Sequence, residues 1–161
     1  MNSAKKWLFA KLANAPLAAS LYLALFFVII ALTQLFSFED YDKVFMNYGI
    51  ISSELTAQLF AAVIVTLEVF AVPFVLGMQM PKRVRMLSQL SGWVTLIVWL
   101  IIGIWQSTTT LLVANTGLFG SRIVSPQGWW LVSYMVALLV LFWFVVFTGR
   151  SHLKRRQFHK K

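Results

Sequence analysis

The chain has no cysteine among its 161 residues, so it can form no disulfide, build no thiolate metal site and relay no electrons through a thiol of its own. Histidine is nearly as scarce: His152 and His159 both lie in the basic C-terminal tail, away from any carboxylate, and suggest no metal site. Only five acidic residues occur, and Glu39, Asp40, Asp42 and Glu54 crowd into one short stretch. There is no glycine-rich phosphate loop, no nucleophile elbow and no HExxH pair, so catalysis would need another subunit or a bound cofactor. On its own the chain does not read as an enzyme.

Apolar surface is what it has in excess. Hydrophobic residues make up 60% of the chain and charged residues 12%, with a mean hydropathy of +0.78, more than a soluble core of this size can hide. The solvent is therefore a lipid bilayer. Four apolar segments, at about Leu17 to Phe36, Thr56 to Leu76, Leu87 to Trp105 and Trp129 to Thr148, each approach the ~20 residues a helix needs to span it. The expectation is an all-α, polytopic four-transmembrane-helix bundle, a single membrane domain over residues 1–161 with two extracytoplasmic loop segments and a basic tail from 149 to 161. Asn14 and Pro16 predict the start of the first helix, Pro81 and Gly128 precede the third and fourth, and Gly149 predicts the end of the fourth. The first apolar run exceeds the 7–15 residues of a signal-peptide core and is read as a retained span.

Of the fourteen lysines and arginines, all but Lys43 and Arg122 fall on one side of these spans. The positive-inside rule then places both termini in the cytoplasm, as expected for a multi-pass protein of a bacterial-type inner membrane. The net charge of +9 has no soluble domain to present it to nucleic acid; Lys82, Arg83, Arg85, Lys154, Arg155 and Arg156 are expected against anionic lipid headgroups. The loops at the opposite end, Ser37 to Leu55 and Gln106 to Gly128, are longer. In the first, Phe45, Met46, Tyr48, Ile50 and Ile51 predict a short amphipathic helix in or under the headgroups. The second is too apolar from Leu111 to Ser125 for a free loop and is expected to pack on the bundle.

Glu68 is the one acidic residue inside a span. A charge at that depth costs about 3 kcal/mol on insertion scales, so it is the leading candidate for a proton-handling or ligand-binding group. The plainer alternative is a buried carboxyl group hydrogen-bonded to a neighbouring Ser, Thr, Tyr or Trp as packing; a site nearer the interface is a third reading. Small residues fix the facing surfaces: Ser88, Gly92, Thr95 and Gly103 share a side with Trp99, and Ala57, Ala61 and Val72 share one with Glu68. Of the seven tryptophans, Trp7, Trp105, Trp129 and Trp130 fit an aromatic belt at the span ends, whereas Trp93, Trp99 and Trp143 lie deeper, as packing or as the lining of a site for a flat apolar ligand. Trp99, Trp105 and Trp129 are the candidates to contact a flat apolar ligand such as a quinone, and bound lipid is the other candidate ligand.

The order of features is similar to that of the DoxX/MauE-like family of four-helix membrane proteins. It consists of an extracytoplasmic segment, a second helix with Leu67 and Glu68 that ends near Leu76 and Gly77, a basic turn, and then Gly117, Phe119 and Gly120 before a tryptophan-led fourth helix. The resemblance spans roughly Leu17 to Phe147. Relatives often read Cys-Gly-Cys-Phe-Gly where this chain has Thr116, Gly117, Leu118, Phe119 and Gly120, so both cysteines are replaced. The resemblance implies redox processes outside the cytoplasm, and the missing thiols reduce that to a scaffold or quinone-side role. Asn115, Gly117 and Gly120 are read as a turn with positive φ at the glycines, and Phe119 as a plug that packs the turn onto the bundle. Three functions are carried forward: a non-catalytic subunit or assembly partner of other membrane or extracytoplasmic proteins, a quinone-linked oxidoreductase subunit in which Glu68 exchanges protons, and a small oligomeric transporter.

Overall fold

The computed structural model describes residues 3–49, 51, 53–109, 115–125 and 128–158, with side chains described between 15 and 148. Among the described residues the regular structure is all helical: α1 covers Ser3–Phe36, α2 Tyr41–Met46, α3 Glu54–Val75, α4 Lys82–Thr108 and α5 Trp129–Phe158, with a 3-10 turn at Phe38–Asp40. Four of these contain stretches long and apolar enough to cross a membrane, namely Ala15–Phe36 and the corresponding parts Glu54–Val75, Lys82–Thr108 and Trp129–Thr148 of the others. At 1.5 Å per residue the 22-residue stretch of α1 measures about 33 Å, close to a hydrocarbon core.

The long helices form a closed ring in the order α1, α3, α4, α5, each antiparallel to both neighbours. One end carries the short turn from Val75 to Lys82 and is rich in basic residues. The other end carries α2 and the segment 115–125, and is called the loop end below. Large apolar side chains cover the outside of the ring, as lipid requires: Leu25, Leu59, Ile101 and Val140 are all exposed.

Three boundaries differ from the sequence expectation. The helix α1 begins at Ser3, with Pro16 inside it rather than at its start, and α5 continues past Gly149 to Phe158. Hydropathy marks only the membrane-crossing part of a helix, and membrane helices accommodate an interior proline. The amphipathic helix of the first loop starts earlier than predicted, at Tyr41, and turns its apolar side onto the bundle: Tyr41, Val44 and Phe45 are buried against α3. Tyr41 and Phe45 are fully buried, so protein covers this face. Ile50, on which part of that expectation rested, lies outside the described residues, as do residues 110–114 of the second loop.

The interior has two layers. Toward the basic end Phe142 is the hub, with Phe27, Phe74 and Trp93 at ring-centroid distances of 6.4, 5.9 and 5.2 Å. Gly92 makes room for it: a Cβ there would lie 2.5 Å from Phe142 Cζ. In the same layer Pro73 interrupts the hydrogen-bond ladder of α3, and α4 repairs it. Ser88 Oγ accepts the Phe74 N–H at 3.1 Å and donates to the Phe70 carbonyl at 2.6 Å, so a neighbour's hydroxyl is spliced between two groups that an undistorted helix, without Pro73, would join directly. The second layer, toward the loop end, is polar.

Candidate functional site: a carboxyl group under a loop

Glu68 sits in the middle of the ring wall, fully buried, as the small residues of its face require. Its Oε1 accepts two hydrogen bonds from different neighbours, Trp99 Nε1 of α4 at 2.9 Å and Gln34 Nε2 of α1 at 3.1 Å. Gln34 also donates to the Leu118 carbonyl at 3.0 Å. One amide therefore joins the carboxyl group to the second loop, and four segments that are remote in sequence meet within one hydrogen-bonded unit. Gln34 and Trp99 are as fully buried as Glu68, which raises the worth of each bond because no water competes for it.

The loop is shaped to deliver that carbonyl. Asn115 organises it: Oδ1 accepts the Gly117 N–H at 3.0 Å and the Ser125 hydroxyl at 2.9 Å, and Nδ2 donates to the Gly120 carbonyl at 2.9 Å. Gly117 and Gly120 bracket Leu118 and Phe119 with φ of 70° and 78°, and the Gly120 N–H closes the turn on the Gly117 carbonyl at 2.9 Å. Glycine at 120 is also a matter of space, since a Cβ would lie 2.0 Å from Ser37 Oγ and 2.8 Å from the Thr33 carbonyl oxygen. Ser37 Oγ in turn donates to that carbonyl and accepts the Ser121 N–H, both at 3.0 Å, tying the loop to the end of α1. On the other flank Tyr48 donates to the Thr116 carbonyl, and Thr116 bonds Ser125 through their hydroxyls.

Several polar atoms in this layer are buried and have no partner among the described residues: Glu68 Oε2, Gln34 Oε1, Tyr41 OH and Thr95 Oγ1. Tyr41 is near enough to Glu68 for the two to interact electrostatically. Burial first, then Glu68 and then Tyr48, hold the Tyr41 hydroxyl well above the usual tyrosine pKa; burial raises Tyr48 as well. Thr95 belongs to the group by helix register. Ala71 of α3 packs against Gly92 of α4, and one step of three residues in opposite directions along the antiparallel pair sets Glu68 against Thr95.

The structure distributes the sequence candidates unevenly. Trp99 joins Glu68, and Asn115, Gly117, Phe119 and Gly120 form the loop above it. Trp105 and Trp129 are instead exposed on the outside of α4 and α5. An apolar cleft of about 320 Å³ does exist at this end, lined by Leu118, Phe119, Trp130, Leu131 and Tyr134. Leu118, whose carbonyl Gln34 holds, is common to the cleft and to the hydrogen-bonded unit of Glu68. Lys82, Arg83 and Arg85 occupy the first turn of α4 at the basic end, with the Arg85 guanidinium 5.8 Å from the Phe74 ring centre. Lys154, Arg155 and Arg156 lie on α5 beyond the described side chains. Among the described residues no group of three His, Asp or Glu approaches metal-binding geometry.

Sequence reasoning missed Gln34 and Tyr41. Gln34 had a signal, being the sole amide in the first apolar span. Tyr41 had none, because one aromatic among loop residues does not say which way it faces. Comparison of the chain with known protein families, with curated proteins and with solved structures finds no match. The class of protein is thus defined by its architecture alone, a four-helix membrane bundle closed around a buried carboxyl group.

Proposed function

We propose that the protein is a non-catalytic integral subunit or assembly partner of a larger membrane complex, as the resemblance to DoxX/MauE-like proteins implies. The observation that carries this reading is the use made of Glu68. Its bonds to Gln34 and Trp99, and through Gln34 to Leu118, connect three helices to a loop, so that the polar centre organises the loop end as a rigid platform. In this reading the platform docks a partner outside the cytoplasm, the protein resides in a bacterial-type inner membrane, and the concentration of basic residues at the other end supports cytoplasmic termini. Extraction in mild detergent tests it: the chain should migrate within a complex on native gels and co-purify with defined subunits. Recovery of a lone, stable protein with an activity of its own would refute the reading.

A quinone-linked role has one observation in its favour, the apolar cleft of about 320 Å³ beside the loop, whose Trp130 and Tyr134 rings suit a flat apolar headgroup. In this second reading Glu68→Gln lowers quinone-dependent turnover of the assembled complex. Unchanged turnover with assembly intact would remove the proton role.

A further inference from the structure

Of the buried atoms without a partner among the described residues, two are the amide nitrogen and oxygen of Gln106 near the loop end of α4, and the other four belong, as a set, to the layer of Glu68. Glu68 Oε2 and Gln34 Oε1 are acceptors without donors, whereas the Tyr41 and Thr95 hydroxyls each carry a proton with nowhere to place it. A guest that gives two hydrogen bonds and accepts two completes all four, and water is that guest. A metal cation would satisfy the two acceptors but leave both hydroxyl protons unused.

The surroundings of the set differ in the two directions along the bundle. Toward the basic end lie Ala71, Gly92 and the ring cluster of Phe142, and among the described residues the buried polar side chains there, Ser91 and Ser88, are each bonded to a backbone carbonyl. Toward the loop end polar groups follow one another. The Tyr41 ring and the Tyr48 hydroxyl lie within 3.4 and 3.5 Å of the same point, the position of a Cβ on Gly117. Tyr48 bonds the Thr116 carbonyl, Thr116 bonds Ser125, and Ser125 bonds Asn115, whose amide reaches the surface turn at Ser121.

We propose that Glu68, Gln34, Tyr41 and Thr95 hold an internal water molecule that makes Glu68 a proton-exchanging group reached from the loop end. Glu68 Oε2 takes a proton from this water and returns it there, and the water exchanges with the loop-side bulk past Tyr41 and the polar groups that lie between it and the loop end. No other bond is made or broken. This inference is independent of the docking role above and rests on the proton-exchanging Glu68 of the second reading, to which it adds a water and a side of access. Unchanged quinone-dependent turnover would remove the quinone role and leave the exchange measured below in place.

Infrared spectroscopy of the full chain in lipid tests it, with the Glu68 carboxyl band assigned as the one lost in Glu68→Gln. That band should respond to bulk pH and exchange in deuterium oxide, and an O–H stretch should shift in 18O water and disappear in Thr95→Val. Tyr41→Phe should slow carboxyl exchange about tenfold, the factor equal to one hydrogen bond of about 1.4 kcal/mol. Phe142→Leu, which thins the apolar layer beneath, should leave the rate unchanged. Thr95→Val is measured beside Tyr41→Phe so that failure of one variant to fold still leaves a readout. A carboxyl band that neither responds to pH nor exchanges, or the absence of an 18O-sensitive O–H stretch, overturns the proposal. So does exchange accelerated by Phe142→Leu and untouched by Tyr41→Phe, or a thermal stabilisation by sodium that choline does not reproduce, which would assign the oxygens to a cation.

Discussion

Replacing Gly120 by alanine tests whether the second loop is seated on α1 as closely as the geometry requires. Two penalties combine there. The backbone at φ 78° is a left-handed conformation that costs an alanine about 1–2 kcal/mol, and the added methyl meets Ser37 Oγ at 2.0 Å and the Thr33 carbonyl at 2.8 Å. Ser37 can swing away only by giving up its bonds to Thr33 and Ser121, and the carbonyl belongs to the last turn of α1 and cannot swing. Overpacking of this kind adds about 1–3 kcal/mol, so Gly120→Ala should lose about 2–5 kcal/mol in all. Two other glycines separate the terms. Gly77 has φ 67° with open space around it, so Gly77→Ala should lose only the backbone term of about 1–2 kcal/mol. At Gly92 the helical backbone suits alanine and the obstacle is the far end of the Phe142 ring, so Gly92→Ala should lose about 1–3 kcal/mol through packing alone. Equilibrium unfolding in mixed micelles with increasing dodecyl sulfate, followed by helical circular dichroism, gives the three differences on one scale. If Gly120→Ala proves no more destabilising than Gly77→Ala, the loop does not sit where the structure puts it, and the Leu118 carbonyl cannot be what Gln34 holds.

Three further outcomes are expected. Trp99→Phe removes a donor to the buried carboxyl group and leaves a void, so the same titration should show a loss of about 2–4 kcal/mol, against under about 0.5 kcal/mol for Trp105→Phe on the exposed face. Ser88→Ala deprives Phe74 N–H and the Phe70 carbonyl of their shared hydroxyl beside Pro73, and should lose about 1 kcal/mol in that titration. Because burial and Glu68 raise the Tyr41 pKa, its neutral hydroxyl favours the folded state; stability is fully present below the ordinary tyrosine pKa near 10 and falls as pH climbs above it toward the folded value. Tyr41→Phe should flatten that alkaline decline, as measured by unfolding midpoints across the range, and an unchanged decline would show that Tyr41 is solvated.

The spans and their facing surfaces were legible because a bilayer imposes length and hydropathy on any helix that crosses it, and because Ser88, Gly92, Thr95 and Gly103 mark where backbones approach. The helical extensions at Ser3 and Phe158 were not, since beyond the membrane the same backbone leaves no hydropathic trace. At the site, Glu68 stood out through the energetic penalty of its position, and Asn115, Gly117 and Gly120 through their turn chemistry. What joins them was hidden. The amide of Gln34 is inexpensive enough in a membrane helix to pass as incidental, and its choice of the Leu118 carbonyl, 84 positions along the chain, is set by the fold. The direction of the Trp99 indole N–H and the inward face of Tyr41 are set by side-chain packing, which periodicity does not encode.

The serine that α4 lends to α3 bears on biogenesis. A nascent α3 that reaches the lipid alone exposes a break at Pro73 with an amide and a carbonyl facing hydrocarbon, and only the arrival of Ser88 mends it. The pair should therefore enter the bilayer as a hairpin rather than one rod after the other. A chain severed in the turn between Gly77 and Pro81 should still reassemble when both fragments are made together, whereas the fragment ending at that cut, made alone, should be held back by the insertion machinery or degraded.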